Sequence, residues 1–338
     1  MKFLIAISIL VSFFLSLAFL PKWIRKCKEL GLVWEDMNKW KHPKNVASSG
    51  GIVVIISFVL GVLTYIAIKT FIFKDGDGVT IEIFALLSVI LLLSIVGLVD
   101  DLLGWKRGGL SIKLRLFLAL AASIPLIVIN AGESAINVPF FGIVNFGVFY
   151  PLILIPLWIV GAATTYNFLA CMNGLEAGQG IILISFLSFV AYLNQSSWLA
   201  LIGLIMVGAL IAFYFFNRFP AKVFPGDILT YSVGALIACM AILGNFEKVA
   251  LIVFFPYILE VILKVRGKIY LKKEFPHSFG IPDKNGSLSM PYKKVYGLTH
   301  LSILILSKFK KQVREKDVVC LIWAFQVLVC AFALVFFL

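Results

Sequence analysis

The chain has 338 residues, of which 61% are hydrophobic and 14% charged, and its formal net charge is +13. A water-soluble fold of this size does not need so much apolar surface, so the composition excludes an ordinary soluble enzyme. The five cysteines are scattered and contain no C-x-x-C pair, so neither a disulfide framework nor a zinc site is implied.

About ten apolar segments are long enough, or nearly so, to cross a bilayer, which takes roughly 20 helical residues. We therefore predict an all-α polytopic membrane protein that forms a single transmembrane domain over residues 1–338. The predicted spans are 3–20, 48–68, 81–99, 113–130, 150–169, 180–194, 197–216, 228–244, 247–264 and 318–338.

The connections between these spans differ on the two sides of the membrane. One side has short connections, apart from residues 131–149, whose Gly and Pro residues and alternating apolar residues predict a small outer hairpin. The other side has longer polar connections, and the longest, 265–317, is predicted to be a loop with several turns. This side carries 26 of the 30 Lys and Arg residues, so we expect it to be cytoplasmic, with both termini outside.

Five acidic residues stand at the inner ends of spans: Asp100, Asp101, Glu176, Asp227 and Glu260. Ionisable groups at the membrane are expensive and are functional hypotheses by default. Glu260 approaches the interior, where we expect packing or a hydrogen bond rather than transport. For most of the other acids, which include Asp36, Glu247 and Glu315, we expect a solvated position.

Three junctions between spans carry acids or amides at the same predicted depth. They are "VDDLLG" (99–104), "YNFLACMNGLEAGQG" (166–180) and "VFPGDILTYSVG" (223–234), in which Asp227 is expected to cap the eighth span. A single carboxylate at a helix end is usually a cap. Three such junctions on one side favour a shared site.

The residue types in these junctions favour a particular metal. Oxygen ligands without a His or Cys cluster favour Mg²⁺ over zinc, and Mg²⁺ is usually shared with substrate phosphates. Positive charge follows the Asp pair at Lys106, Arg107, Lys113 and Arg115, which suits a metal-bridged pyrophosphate. Neither G-x-x-x-x-G-K-[ST] nor G-x-G-x-x-G after a strand is present, which excludes ordinary ATPase and Rossmann sites.

At these residues the sequence resembles the polyprenyl-phosphate N-acetylhexosamine-1-phosphate transferases, membrane enzymes with ten spans and cytoplasmic motifs. "DMNK" (36–39), "NGLEAGQ" (173–179) and "FPGD" (224–227) resemble the eukaryotic and archaeal branch. The resemblance implies transfer of GlcNAc-1-phosphate, or a related N-acetylhexosamine-1-phosphate, from a UDP-sugar to dolichyl or polyprenyl phosphate. UMP would be released, in the first membrane step of lipid-linked oligosaccharide assembly.

The resemblance also implies roles for individual residues. It assigns Asp100, Asp101 and Asp227 to catalysis, and Asn167 and Asp227 to binding Mg²⁺, with Mn²⁺ as an alternative. The residues implied to bind the nucleotide sugar are Asn173, which reads uracil, Phe224, which stacks on it, Lys113, near the pyrophosphate, and Glu176 and His277, without a defined role.

The sequence departs from the family pattern at three places. "NVASSGG" (45–51) lacks the usual Ile-Pro of the loop after the first span. Ala170 stands where bacterial members have an Asp, so a metal ligand is lost there. The resemblance implies that the loop 265–317 recognises the sugar. There "PHSFGIPD" (276–283) has neither the bacterial His cluster nor the Arg-His-Arg of the eukaryotic enzyme, so the acceptor chemistry is better supported than the identity of the sugar. His277 either replaces one of those groups or is a surface histidine.

Other classes of protein remain to be weighed against this resemblance. A membrane transporter or flippase of a lipid-linked or anionic solute is the alternative function, which acids at mid-bilayer would support. Nucleic-acid binding is excluded because the basic residues follow membrane topology. We expect a multi-pass protein of the cell membrane with a cytoplasmic active site, and leave open whether it is a homodimer.

Overall fold

The computed structural model describes residues 2–74, 78–138, 142–272 and 275–337, without the side chains of residues 2–5, 105–107, 137, 138, 336 and 337. The predicted role of Lys106 and Arg107 therefore lies outside the described residues. In chain order the helices are α1 (Lys2–Glu29), α2 (Gly51–Ala67), α3 (Thr80–Arg107), α4 (Ile112–Ala122), α5 (Ile124–Val128), α6 (Ile155–Phe168), α7 (Leu175–Leu193), α8 (Ser197–Asn217), α9 (Gly226–Leu243), α10 (Glu247–Val253), α11 (Phe255–Leu271), α12 (Leu298–Ser307) and α13 (Glu315–Phe337). A short π-helical segment, Ile68–Phe73, follows α2, and a second one, Tyr150–Leu154, precedes α6.

The described strands form antiparallel two-stranded hairpins between the helices. They are β1 (Val33–Glu35) with β2 (Lys44–Ala47), β3 (Ala135–Val138) with β4 (Gly142–Asn145), and β5 (Ile281–Pro282) with β6 (Leu288–Ser289). The β3–β4 pair confirms the small hairpin predicted within residues 131–149, although residues 139–141 at its tip lie outside the described part of the chain.

Eight helical segments of the described chain are long and apolar enough to cross a membrane. They are Ala6–Glu29, Gly51–Phe73, Thr80–Gly104, Tyr150–Phe168, Leu175–Leu193, Ser197–Asn217, Gly226–Leu243 and Glu315–Val335. These segments correspond to eight of the ten predicted spans. The molecule is therefore a mainly helical, multi-pass membrane protein, as predicted.

Each of the two remaining predicted spans consists of two shorter helices. Ser123 separates α4 from α5, and Pro125 follows within the first turn of α5. Phe254 likewise separates α10 from α11, with Pro256 at the second position of α11. Proline lacks an N–H group and fits only the first turn of a helix, so each break coincides with a proline that starts a new helix.

Two further predicted boundaries are corrected by the structure. The segment 265–317 is not one long loop, because α11 continues to Leu271 and α12 lies inside it, with residues 273 and 274 not described. The sixth span begins at Leu175 instead of residue 180. Gly174 adopts φ +85°, a conformation that glycine tolerates, so the chain turns directly into α7 and Glu176 falls in its first turn.

Helix α9 is the centre of the bundle. Every residue from Ile228 to Ile242 is buried, and α9 packs mainly on α3 and α6. A helix that is apolar all round must be covered on all sides, which explains this position. At Gly97 of α3, a Cβ atom would lie 2.5 Å from the backbone of Asp227. The two backbones therefore touch, and the contact sets the acid pair of α3 beside the start of α9.

Candidate active site

A cavity of about 820 Å³ opens where α3, α6, α7 and α9 end or begin, and its volume is typical of small-molecule sites. Seven of the nine predicted site residues line it: Asp101, Asn167, Asn173, Glu176, Phe224, Asp227 and His277. We call Asp101, Asn167, Glu176 and Asp227 the helix wall and residues 275–297 the loop wall. The structure therefore brings most of the predicted site together.

The carboxylate of Asp101 caps α9 from the neighbouring helix. It accepts hydrogen bonds from the backbone N–H groups of Asp227 at 2.8 Å and Ile228 at 3.5 Å, two of the groups that a helix start leaves unpaired. Gly226 has φ +74°, and a Cβ there would lie 2.2 Å from Asp101 Oδ2. The prediction that Asp227 caps this helix is wrong. Asp227 lies in the first turn and lines the cavity.

The other member of the pair, Asp100, is buried below the cavity, although the sequence placed it in the site beside Asp101. It accepts hydrogen bonds from the backbone of Leu110 and, at 2.9 Å, from Arg115 Nη1, which also lies 3.7 Å from Asp227 Oδ2. Two carboxylates, those of Asp100 and Asp227, thus lie near one guanidinium, so the acids here outnumber the bases. Asp100 positions Arg115 and does not face the cavity.

The predicted pyrophosphate ligand Lys113 is not part of the cavity lining. It is exposed on α4, and the structure places Arg115 beside the acids instead. Residues two apart on an α-helix point about 200° away from each other, so only one of this pair can face the site. In the sequence, Arg115 was noted only as a charge near the acid pair. What distinguishes Arg115 from Lys113 is the direction in which each side chain points from the helix.

The oxygen donors of the helix wall suit a divalent cation. Asn167, near the end of α6, lies near Tyr231, whose hydroxyl accepts a hydrogen bond from Arg115 at 3.4 Å. Within the described residues no group of three or more His, Cys, Asp or Glu side chains forms a ready metal centre. A carboxylate, an amide and an excess of negative charge fit Mg²⁺, whose remaining ligands come from water and substrate phosphate.

A second set of charged residues holds Asn173, and the sequence analysis missed it. The Asn173 backbone N–H donates to Glu315 at 2.6 Å, and its side-chain amide donates to Asp36 at 3.0 Å. Lys39 pairs with both acids. Asp36 and Glu315 are buried, so the prediction that they are solvated is wrong. Glu247 is also buried, where it accepts a hydrogen bond from Tyr150.

Glu176 lies in the cavity wall with one free carboxylate oxygen. It is 7% exposed, and its Oε2 atom has no hydrogen-bond partner within the described residues. That oxygen is itself buried, so it is an acceptor that the described protein groups leave unpaired. Burial, followed by the nearby Glu176 charge, raises the pKa of the Cys171 thiol well above its ordinary value, so this cavity residue is neutral and unreactive. Ala170 lines the cavity without offering a ligand atom.

The loop wall is fastened to the rest of the site by Asn38. The buried side chain of Asn38 donates to the Cys171 carbonyl at 2.6 Å and accepts from the Gly280 N–H at 3.2 Å. His277 is exposed and lines the cavity, and its backbone N–H donates to the Tyr292 hydroxyl at 3.1 Å. The structure therefore places His277 in the site without assigning it a role.

Behind the loop wall lies a buried polar cluster. Glu260 accepts a hydrogen bond from the backbone N–H of Leu298 and lies 3.7 Å from Lys264, which confirms the hydrogen bond predicted for it. Burial, followed by the nearby Lys264 charge, lowers the pKa of His300 to about 4, so this ring is neutral at physiological pH and packs edge-on against Tyr292. The cluster supports the loop wall from behind.

Comparisons with known proteins agree with this geometry. Residues 83–245 match the family model described as Glycosyl transferase family 4. A Saccharolobus solfataricus protein, provisionally named UDP-N-acetylglucosamine–dolichyl-phosphate N-acetylglucosaminephosphotransferase, is 33% identical over 98% of this chain and 96% of its own length. A Sulfolobus acidocaldarius protein with the same provisional name is 32% identical over 98% of this chain and 96% of its own length.

A more distant relative comes from bacteria. The phospho-N-acetylmuramoyl-pentapeptide-transferase of Streptococcus agalactiae is 31% identical over 78% of this chain and 81% of its own length. The archaeal relatives extend over nearly the whole chain, which includes the described parts of both walls of the cavity. The family predicted from the motifs is thereby confirmed: this chain belongs to glycosyl transferase family 4.

Proposed function

We propose that the protein transfers GlcNAc-1-phosphate from UDP-GlcNAc to dolichyl or polyprenyl phosphate, with release of UMP. The observation that carries this proposal is one cavity at the ends of membrane helices that joins Asp101, Asn167 and Asp227 to Asn173 and Phe224. The nearly full-length archaeal relatives are provisionally named for this reaction. Because their names point to UDP-GlcNAc, we propose it over other UDP-N-acetylhexosamines.

The reaction joins a lipid headgroup to a nucleotide sugar. An oxygen of the lipid phosphate attacks the β-phosphorus of the UDP-sugar, a new P–O bond forms, and the bond from that phosphorus to the bridging oxygen breaks. UMP leaves with the bridging oxygen, and a lipid-diphospho-sugar remains. The second pKa of a phosphate monoester is about 6, so the attacking group needs no strong base at neutral pH. Positioning and charge neutralisation therefore dominate catalysis.

The helix wall supplies that positioning. Asp227 and Asn167 would hold Mg²⁺, which when bound neutralises charge on the pyrophosphate. Asp101 keeps the start of α9, and with it Asp227, in place. Arg115 lies 3.7 Å from Asp227 and balances part of the acidic charge. Acids stand at the membrane edge in this account because the lipid phosphate is confined there.

The opposite end of the cavity is proposed to bind the nucleotide. Asn173 is held by Asp36 and Glu315 and would present its amide to uracil, while Phe224 would stack on the base. Glu176, which lines the cavity, would accept a hydrogen bond from the donor substrate. The loop wall, with His277, would contact the sugar.

We also propose ten membrane crossings, supported by where the helices meet. The ends of α3 and α6 and the starts of α9 and α13 all lie at the same two adjoining cavities. For α3 and α6 both to end on that side, the chain must cross between them through α4 and α5. For α9 and α13 both to start there, the chain must cross back through α10 and α11.

The basic residues give this topology its proposed orientation. With ten crossings, 26 of the 30 Lys and Arg residues lie on the side that carries the cavity. The positive-inside rule then places the cavity on the cytoplasmic side and both termini outside. A cell-membrane location follows from this orientation together with the archaeal relatives, since a nucleotide sugar made in the cytosol would reach the site directly.

The proposal is tested by incubating the purified protein with dolichyl phosphate and a panel of UDP-sugars, and by measuring UMP. UMP is expected with UDP-GlcNAc and not without the lipid phosphate. Release of no nucleotide from any UDP-sugar, combined with movement of a lipid-linked solute across vesicles, would instead support the transporter alternative. Glu260, the one acid that approached the predicted interior, is already hydrogen-bonded, which disfavours that alternative.

A further inference from the structure

A second cavity of about 520 Å³ lies between the end of α8 and the start of α13. Arg218, Lys222 and Lys316 line one end of it, and no acidic residue is among its lining residues. Phe215 and Cys320 line the other end and are exposed on segments apolar enough to cross a membrane. The cavity is therefore basic at one end and apolar at the other, which matches an amphiphile with an anionic head.

The positive charge in this cavity is not neutralised by the protein. Among the described residues no side chain forms an ion pair or hydrogen bond with the side chains of Arg218 or Lys222. The ammonium group of Lys316 lies 4.9 Å from the centre of the Phe219 ring, a contact that leaves its charge available. Three cations that face one space without an acid favour an anionic ligand.

Aromatic side chains give the cavity a fixed wall. The Trp323 indole N–H donates to the Leu175 carbonyl at 3.3 Å, and the ring fills the space beside Gly178, where a Cβ would lie 2.0 Å from it. Tyr214 packs against Trp323 with ring centres 5.7 Å apart. Aromatic rings with polar tips suit the boundary between lipid and water, where one side of the ligand is apolar.

The depth of the cavity identifies the source of the anion. Helix α8 ends at Asn217 and α13 begins at Glu315, so the basic end lies at the limit of both apolar segments. Cys320 lies four residues beyond Lys316, about 6 Å further along α13 at the rise of an α-helix. Basic pockets between spanning helices bind phospholipid headgroups. We propose that this cavity binds the headgroup of an anionic phospholipid from the leaflet on the same side as the active site.

The lipid site adjoins the nucleotide end of the first cavity. Asn173 lines both cavities, and its backbone N–H donates to Glu315, the residue before Lys316. A bound headgroup would hold the start of α13 and thereby Asn173. This coupling rests on the proposed function, whereas binding of the lipid does not, so the test measures binding without any assay of activity.

The test uses the full-length protein in neutral detergent and native mass spectrometry. Dioleoylphosphatidylglycerol is titrated against the wild type and the triple variant Arg218→Gln, Lys222→Gln, Lys316→Gln, with dioleoylphosphatidylcholine as the neutral lipid. The matched control, Lys28→Gln, Lys284→Gln, Lys308→Gln, removes the same charge from exposed positions elsewhere. Thermal melting without lipid checks that each variant is folded. If the triple variant does not fold, the single variant Lys222→Gln is compared with the wild type in its place.

The wild type and the control are expected to retain one phosphatidylglycerol in preference to phosphatidylcholine. The triple variant is expected to bind phosphatidylglycerol at least about tenfold more weakly, since each basic residue near an anionic lipid contributes to the binding free energy. Equal binding of phosphatidylglycerol by the triple variant and the control would overturn the proposal. Displacement of the lipid by millimolar inorganic phosphate would also overturn it, because the site would then bind a free anion.

Discussion

The helix wall and the loop wall of the first cavity are built in different ways. In the helix wall, α3 and α9 touch through their backbones at Gly97, and Asp101 bonds directly to the start of α9. The loop wall is mostly irregular chain around the short β5–β6 hairpin, and hydrogen bonds from the side chains of Asn38 and Cys171 fasten it to the site, with the Glu260 cluster behind it. The rigid wall carries the residues proposed for phosphoryl transfer. The lightly fastened wall carries those proposed to select the sugar.

The largest expected effect comes from the rigid wall. Asp227→Asn removes the carboxylate charge proposed to hold the metal and should lower kcat about 1000-fold, since a metal contributes several kcal/mol to stabilising such a transition state. The rate of UMP release measures this loss of kcat. Glu29→Gln, an exposed acid at the end of α1, is the control and should keep full activity. Comparable rates for the two variants would remove Asp227 from the chemistry.

A second comparison separates Arg115 from Lys113. Arg115→Gln leaves Asp100 buried without its partner and removes the charge beside Asp227, so activity should fall about 100-fold and the melting temperature should drop. Lys113→Gln should change activity less than about threefold because this exposed side chain does not line the cavity. A greater loss with Lys113→Gln would restore the role implied by the resemblance.

This pair shows how far the sequence could predict the site. The sequence motifs correctly predicted that seven residues share one site, because each motif lies at the end of an apolar segment and those ends meet. They could not decide between Lys113 and Arg115, or between the buried Asp100 and the cavity-facing Asp101, because a shift of one residue turns a side chain by about 100° on a helix.

The acids that hold Asn173 were missed for a different reason. Asp36 and Glu315 lie 137 and 142 residues from Asn173 in sequence, and each has basic neighbours that make a solvated position the default. "DMNK" (36–39) was noted only as a sign of the family branch. Likewise, the break at Ser123 depends on whether the bundle accommodates a proline there, which apolarity alone does not report.

The close contact of α3 with α9 gives a third prediction. Gly97→Ala would place a Cβ 2.5 Å from the Asp227 backbone, so the helices must separate and activity should fall at least about tenfold. The matched control is Gly161→Ala in α6, where a Cβ meets nothing within 4 Å and activity should be unchanged. UMP release and thermal melting of both variants decide the outcome; equal behaviour would mean that the contact does not position Asp227.

The smallest effect is expected in the lightly fastened wall. Asn38→Ala removes the side chain that links the Gly280 N–H to the Cys171 carbonyl. This change should raise KM for the UDP-sugar about tenfold, while kcat falls less than threefold. Asn285→Ala, at an exposed turn of the same loop, should leave both constants unchanged. A loss confined to kcat would show that Asn38 acts on the rigid wall instead.

The central claim is that a sugar phosphate, and not a sugar alone, moves to the lipid. It is tested most directly by incubating the purified protein with UDP-GlcNAc, dolichyl phosphate and Mg²⁺, and by measuring both nucleotide and lipid products. We predict one UMP for each lipid product, and a lipid product that carries two phosphates. Release of UDP with a monophosphate lipid product, or no lipid product at all, would contradict the account.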